Sequence, residues 1–424
     1  MIRTDIASLE LPAMQDWTGV LRRINQILFA LLPLLLLFWR GGADAAASII
    51  GISFLAVAIS RRQWGLATHP MLAVLLAIWV LLNVLVSPLA VDPAASFTRS
   101  VAWLRFALLF AATVTWLIQS RRDLGLIVAV WGATIGFCII DGLVQLVRGT
   151  SLTGHPMYNV FRLTGPLDRP NIGMFVVRIG FPLLAAAPLL LEGTRSRGAM
   201  ASAAILGAIG FAFILLTGER SAALVALIAV LTSIAGSVLV FPRYRLYGVS
   251  ALILLVACIG GVVASSPRIL DRIKEFARVI EQFSKSHYAE LFTIGLDVWR
   301  SYPVFGAGMK NFESACWAIA GHYVSDGCPT HPHNVYIEWL AETGAIGLLF
   351  YLVFLGLLLL AAWPLLRGTT MTRITGLLVA GALLVLLFPL IASQSMFSNW
   401  PALVFWSGLS MTMAIARLAL KEAA

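Results

Sequence analysis

Long apolar runs alternate with short polar intervals along almost the whole chain. Twelve of them read as helical spans, at roughly 25–39, 44–60, 68–88, 101–118, 125–147, 170–191, 199–217, 221–240, 246–265, 345–366, 374–392 and 398–416. A helix crosses ~30 Å of hydrocarbon with ~20 apolar residues, and these runs are of that order. A transmembrane barrel would instead show ~10-residue segments of alternating polarity. The first two runs are short, and a re-entrant pair is the alternative for them. The chain is polar up to about residue 24 and its first run leads directly into others, so the pattern predicts a retained first span and no cleavable leader. The longest polar interval, 266–344, falls between spans nine and ten; two smaller ones are 148–169 and the tight turn 217–221. The expectation is an all-α integral membrane protein: one domain over 1–424, about twelve transmembrane helices, and a large loop at 266–344 carrying short helices as an extramembrane subdomain.

Composition agrees, with 60% hydrophobic and 12% charged residues and a mean hydropathy of +0.90. A water-soluble fold is excluded. The net charge of +10 would suggest nucleic acid in a soluble protein, but here position decides. Arg61 and Arg62, Arg121 and Arg122, Arg195 and Arg197, Arg243 and Arg245, Arg367 and Arg373, and Arg417 and Lys421 fall in alternate loops. Basic residues collect in cytoplasmic loops, so both termini are expected in the cytoplasm, the large loop on the periplasmic side, and no nucleic-acid partner. Other basic residues lie on the outer side or inside spans, among them Arg40, Arg105, Arg162, Arg169, Arg178, Arg220, Arg300 and Lys310. They raise the expectation of an anionic ligand at the outer face. Between Arg268 and Lys285, Ile269, Ile273, Phe276, Ile280 and Phe283 recur at helical spacing. That run reads as an amphipathic helix on the membrane with its bases toward lipid phosphates, or as plain solvated charge.

Candidate chemistry is densest in HPHNVYIEWLAETGAIG, residues 331–347, where the large loop returns to the membrane. His331 and His333 stand beside Asn334, Tyr336, Glu338 and Glu342, and a helix starting near Asn334 would put Asn334, Glu338 and Glu342 on one face. An imidazole there suits a general base, because its ordinary pKa of ~6.5 matches proton abstraction from a hydroxyl; a capping or hydrogen-bonded loop histidine is the plainer reading. His-Pro-His lacks a convincing third ligand, so no metal is expected. Arg220 sits on the turn 217–221 beside Glu219, which either orients it or merely pairs with it to hold the turn. An arginine at membrane depth is costly unless it binds something. Arg162, Arg169, Arg300 and Lys310 are weaker candidates for the same anion, and Asp168 with Asp-Arg-Pro-Asn either orients a donor sugar or forms an ordinary turn whose Asn171 caps the next span. Cys316 and Cys328 lie in the large loop and could form a disulfide in an oxidising compartment.

His333-Asn334, nine residues, Gly344, two residues and Gly347 resemble the H[NSQ]x9GxxG signature of the O-antigen ligase and polymerase superfamily. SYPVFGAGMKNFESA at 301–315, with Pro303, Gly306, Gly308 and Phe312, is similar to its P-x-x-G-x-G-x-x-x-F element; TGERSA at 217–222 and RLTGPLDRPN at 162–171 resemble its outer turns. The resemblance implies a GT-C-like membrane glycosyltransferase without cofactors in the bacterial inner membrane, its active site periplasmic. The donor would be an undecaprenyl-pyrophosphate-linked O-antigen and the acceptor lipid A-core, in membrane contact. His333 and Arg220 would be catalytic, the first toward the acceptor hydroxyl and the second toward the departing pyrophosphate. Arg162, Arg169, Arg300, Lys310, His331, Asn334, Tyr336 and Glu338 would bind substrate, and Gly344 and Gly347 would allow close helix packing beneath the site. The chain departs from the family at SHYAEL, 286–291, where a second arginine is expected and His287 or Tyr288 stands instead. An O-antigen polymerase, a protein O-oligosaccharyltransferase and, from another class, an anionic-lipid transporter using Arg105 and Arg178 are the alternatives to a ligase.

Overall fold

The computed structural model describes residues 6–11, 16–160, 162–191, 197–241, 245–265, 270–271, 274, 277–278, 281–282, 284, 286–320 and 327–423. Its helices are α1 (Trp17–Phe38), α2 (Arg40–Ser60), α3 (Pro70–Leu81), α4 (Pro93–Ala112), α5 (Arg121–Arg148), α6 (Ile172–Leu191), α7 (Arg197–Leu216), α8 (Arg220–Val240), α9 (Arg245–Ser265), α10 (His287–Ser301), α11 (Phe312–Ala320), α12 (Val335–Ala362), α13 (Thr370–Leu387) and α14 (Asn399–Ala423). Among the described residues nine helices are long and apolar enough to cross a bilayer, and three shorter apolar ones, Pro70–Val86, Ala204–Leu216 and Val249–Gly261, fall on the remaining expected spans. The chain is an all-α integral membrane protein. The first two helices are 22 and 21 residues long, which is enough to span, so the re-entrant alternative is not needed. Most of the run 266–285, with Ile269, Ile273, Phe276, Ile280 and Phe283, lies outside the described residues.

The apolar pattern misplaced the start of α1 because polar side chains there are satisfied by protein. Asp16 caps the helix by accepting from Thr18 N at 3.0 Å, Arg22 bonds Asp123 at 3.1 Å, and the Gln26 amide donates to the Leu117 carbonyl at 2.5 Å. Polar groups at membrane depth need such internal partners. A helix apolar on all sides is a core helix, and α14 is one, with 94% of its most apolar window buried. Its Trp406 is fully buried among Trp103, Phe106, Phe110, Phe354 and Phe405.

The feature that shapes the site is a break in α12. Gly344 adopts φ 68° and ψ −174°, which a residue with a Cβ resists, and two helical hydrogen bonds are split there. The orphaned carbonyls of Ala341 and Glu342 accept instead from Ala307 N (2.9 Å) and Gly308 N (3.0 Å), while Ala345 N and Ile346 N donate to the carbonyls of Pro303 (2.9 Å) and Val304 (3.3 Å). The loop 303–308 thus takes over both halves of the broken ladder. Gly306 permits the approach, since a Cβ there would meet the Glu342 backbone. The glycine pair therefore acts differently from the expected helix packing: Gly344 admits a loop, and Gly347 leaves room for the Thr343 side chain of its own helix.

Above the break, Ile294 and Val298 of α10, Phe312, Ala315 and Cys316 of α11, and Ala307, Cys328 and Ala341 make a small apolar core of their own. The expected disulfide Cys316–Cys328 is formed within it.

Candidate active site

Asn334 precedes α12 and caps it, its side-chain oxygen accepting from Tyr336 N (3.0 Å) and Ile337 N (3.2 Å). The chain reaches this cap through His333, which stands at φ 53°, a left-handed conformation that non-glycine residues adopt at a cost. Ser393 N holds it by donating to the His333 carbonyl at 2.7 Å. The same segment is gripped three more times: Asn334 Nδ2 donates to the Pro389 carbonyl (2.7 Å), Tyr336 Oη to the Leu387 carbonyl (2.5 Å), and Met396 N to Glu338 Oε2 (2.7 Å). Asn334, Tyr336 and Glu338, expected to bind substrate, direct these groups at residues 387–396.

The rings of His331 and His333 lie 4.0 Å apart, and His331 Nδ1 shares a hydrogen bond with the Thr330 hydroxyl at 3.1 Å. Burial pushes the His331 imidazole down to about 3, helped by the charges of His333 and Lys310. Burial also lowers His333, with His287 adding to the effect and a backbone hydrogen bond with Ser393 opposing it. Both rings are therefore neutral near pH 7 and able to accept a proton. The left-handed Lys310 (φ 59°) donates its backbone N–H to Glu342 Oε2 at 2.5 Å. Its ammonium supplies positive charge to His331, Glu338 and Glu342.

A cavity of about 310 Å³ opens beside this corner, lined among others by His331, Thr330, Asp168, Arg169, Asn171 and Trp400. On its wall Arg40, the first residue of α2, bonds Asp168 at 2.5 Å.

Asn171 leads into α6, whose first turn connects the cavity to the arginine turn. Glu219 Oε2 accepts from Met174 N at 2.9 Å, and Leu163 N donates to the Thr217 carbonyl at 3.1 Å, which ties the 158–171 loop to the turn 217–219. Burial raises the Glu219 carboxyl to about 7, against the Met174 N–H, the charges of Arg162 and Arg178, and the Gly173 N–H. Glu219 is thus engaged with α6 and with these two arginines. Arg220 follows it as the first residue of α8, at the positive end of that helix. Arg162 donates to the Pro170 carbonyl at 2.8 Å. Two arginines, Arg162 and Arg178, act on one carboxylate, so positive charge is in excess there.

The structure brings His331, His333, Arg169 and Lys310 to one corner, and Arg162 with Arg220 to the neighbouring turn. Arg300 stands apart on the exposed face of α10, bonded to Asp297 at 2.6 Å. Arg40, Gln394, Ser398 and Trp400 reach the cavity from distant parts of the chain. They were not singled out as site residues from the sequence, where no local spacing marks them. Among the described residues no three His, Cys, Asp or Glu side chains are grouped to hold a metal ion.

Residues 182–352 match the Wzy_C family model, described as O-antigen ligase. The match includes Arg220, the break in α12 and the histidine corner, so this stretch of the chain is similar to that family. No curated protein matches the chain.

Proposed function

We propose that the protein is an O-antigen ligase, transferring glycan from undecaprenyl pyrophosphate to a sugar hydroxyl of lipid A-core at the periplasmic face of the inner membrane. The observation that carries the reading is the pairing of two neutral, half-buried imidazoles with an arginine-rich turn, joined through the first turn of α6. The acceptor oxygen attacks the anomeric carbon, the bond from that carbon to the pyrophosphate oxygen breaks, and configuration inverts. The hydroxyl proton passes to His333, whose depressed pKa keeps it unprotonated at neutral pH. Arg220 meets the negative charge that develops on the leaving pyrophosphate, and guanidinium groups bind such oxygens in pairs. Arg162 adds positive charge at the same turn. A single displacement requires no enzyme nucleophile.

The test is reconstitution of the purified protein in liposomes with a lipid-pyrophosphate-linked glycan. Lipid A-core is supplied in one arm and only further lipid-linked glycan in the other. Glycan attached to lipid A-core supports the ligase; elongated lipid-linked glycan in the second arm, with no product in the first, identifies a polymerase.

A further inference from the structure

We infer that the cavity beside His331 seats the acceptor's terminal sugar ring, with Trp400 as its platform and the Arg40–Asp168 pair reading its hydroxyls. The inference rests on the ligase reading and adds to it the place of the acceptor. A volume of about 310 Å³ lies at the small end of ligand pockets, ~300–1,000 Å³, suited to one or two sugar rings. Its lining is that of a carbohydrate site. Gln394, Ser398 and Asn171 offer neutral donors and acceptors, Arg40 and Asp168 a charged pair, and Trp400 an indole.

Trp400 is fixed rather than merely present. Its Nε1–H donates to the Leu36 carbonyl at 2.8 Å and its ring stacks on Phe175, centroids 6.1 Å apart. His331 lines the cavity, and no group among the described residues hydrogen-bonds its buried Nε2, which leaves that nitrogen in want of a partner. The assignment to acceptor rather than donor follows from in-line displacement. The attacking oxygen must approach the anomeric carbon opposite the pyrophosphate. Arg220 is not among the described residues that line the cavity, whereas His331 is. His331, whose ring lies 4.0 Å from that of His333, thus puts the cavity next to the base, with Arg169 also on its wall.

The experiment measures steady-state transfer by reconstituted protein, varying lipid A-core and lipid-linked donor in turn, for wild type, Asp168→Ala, Arg40→Gln and Trp400→Ala. Arg40 and Asp168 are 52% and 53% exposed, so the first two variants leave folding intact. The expected result is an acceptor KM raised about 10-fold, with donor KM and kcat within about two-fold. A rise in donor KM instead, or no change in either, overturns the inference. A second arm measures binding of lipid-free core oligosaccharide to His333→Ala protein, with and without Asp168→Ala. Binding lost with Asp168 supports the site even where wild type polymerises instead of ligating, and binding indifferent to Asp168 removes it.

Discussion

The imidazoles of His331 and His333 lie 4.0 Å apart with their planes tilted by 39°, and only Pro332 separates them in the chain. Burial holds both below the ordinary imidazole value. The unfolded chain then takes up protons below ~6.5 that the folded one refuses, so stability is complete above ~6.5 and falls as the pH drops toward the folded values. The base form, for the same reason, persists into mild acid. We expect kcat/KM to keep most of its value at about pH 6 while the melting temperature declines on acidification, with His331→Asn reducing that decline. An activity inflection at or above ~6.5 contradicts a depressed His333.

Gly344→Ala places a Cβ against the Val304 carbonyl at φ 68°. The strain alone is of order ~1–3 kcal/mol, and the loop 303–308 must move as well. Gly356, in the same helix, has open space where a Cβ would stand. Thermal unfolding in detergent is expected to show Gly344→Ala strongly destabilised and inactive and Gly356→Ala close to wild type; equal melting temperatures would falsify the account of the helix break.

Glu342 holds the loop at Lys310 through a backbone N–H at 2.5 Å. Gln can still accept that hydrogen bond, whereas Ala leaves a buried donor unmade at a cost of ~1–3 kcal/mol. Transfer is expected to survive in Glu342→Gln at a reduced level and to be lost in Glu342→Ala, together with a lower melting temperature. Equal activity in the two variants goes against a positioning role.

The spans were legible because apolar runs of membrane length carry their own signal, and Asn334, Glu338 and Glu342 do share the start of one helix. The break at Gly344 was not, since the sequence stays apolar through it and only the distant loop 303–308 makes it affordable to the backbone. Arg40 reads as one of many outer basic residues until the fold brings it to Asp168, 128 positions away. Arg22 marked the wrong edge for α1 because its partner, Asp123, lies far along the chain. In each case the deciding contact is long-range, which no local pattern contains.

The bond between Cys316 and Cys328 closes a short loop beside α12, and in the chain-entropy model such a loop contributes ~3 kcal/mol. Alkylation of unreduced, denatured protein followed by mass spectrometry is expected to label Cys138 and Cys258 alone. The Cys316→Ser/Cys328→Ser variant should unfold at lower temperature. Labelling of all four cysteines contradicts the pairing.

The central claim is that His333 and Arg220 act in one glycosyl transfer, at opposite ends of the bond that is made and broken. The most direct measurement is single-turnover transfer from a radiolabelled lipid-pyrophosphate-linked glycan to lipid A-core by reconstituted wild type, His333→Ala and Arg220→Ala, with donor binding measured on the same samples. The account predicts chemistry slowed at least about 100-fold in both variants, donor binding retained in His333→Ala and weakened in Arg220→Ala. Transfer at the wild-type rate by His333→Ala would contradict it.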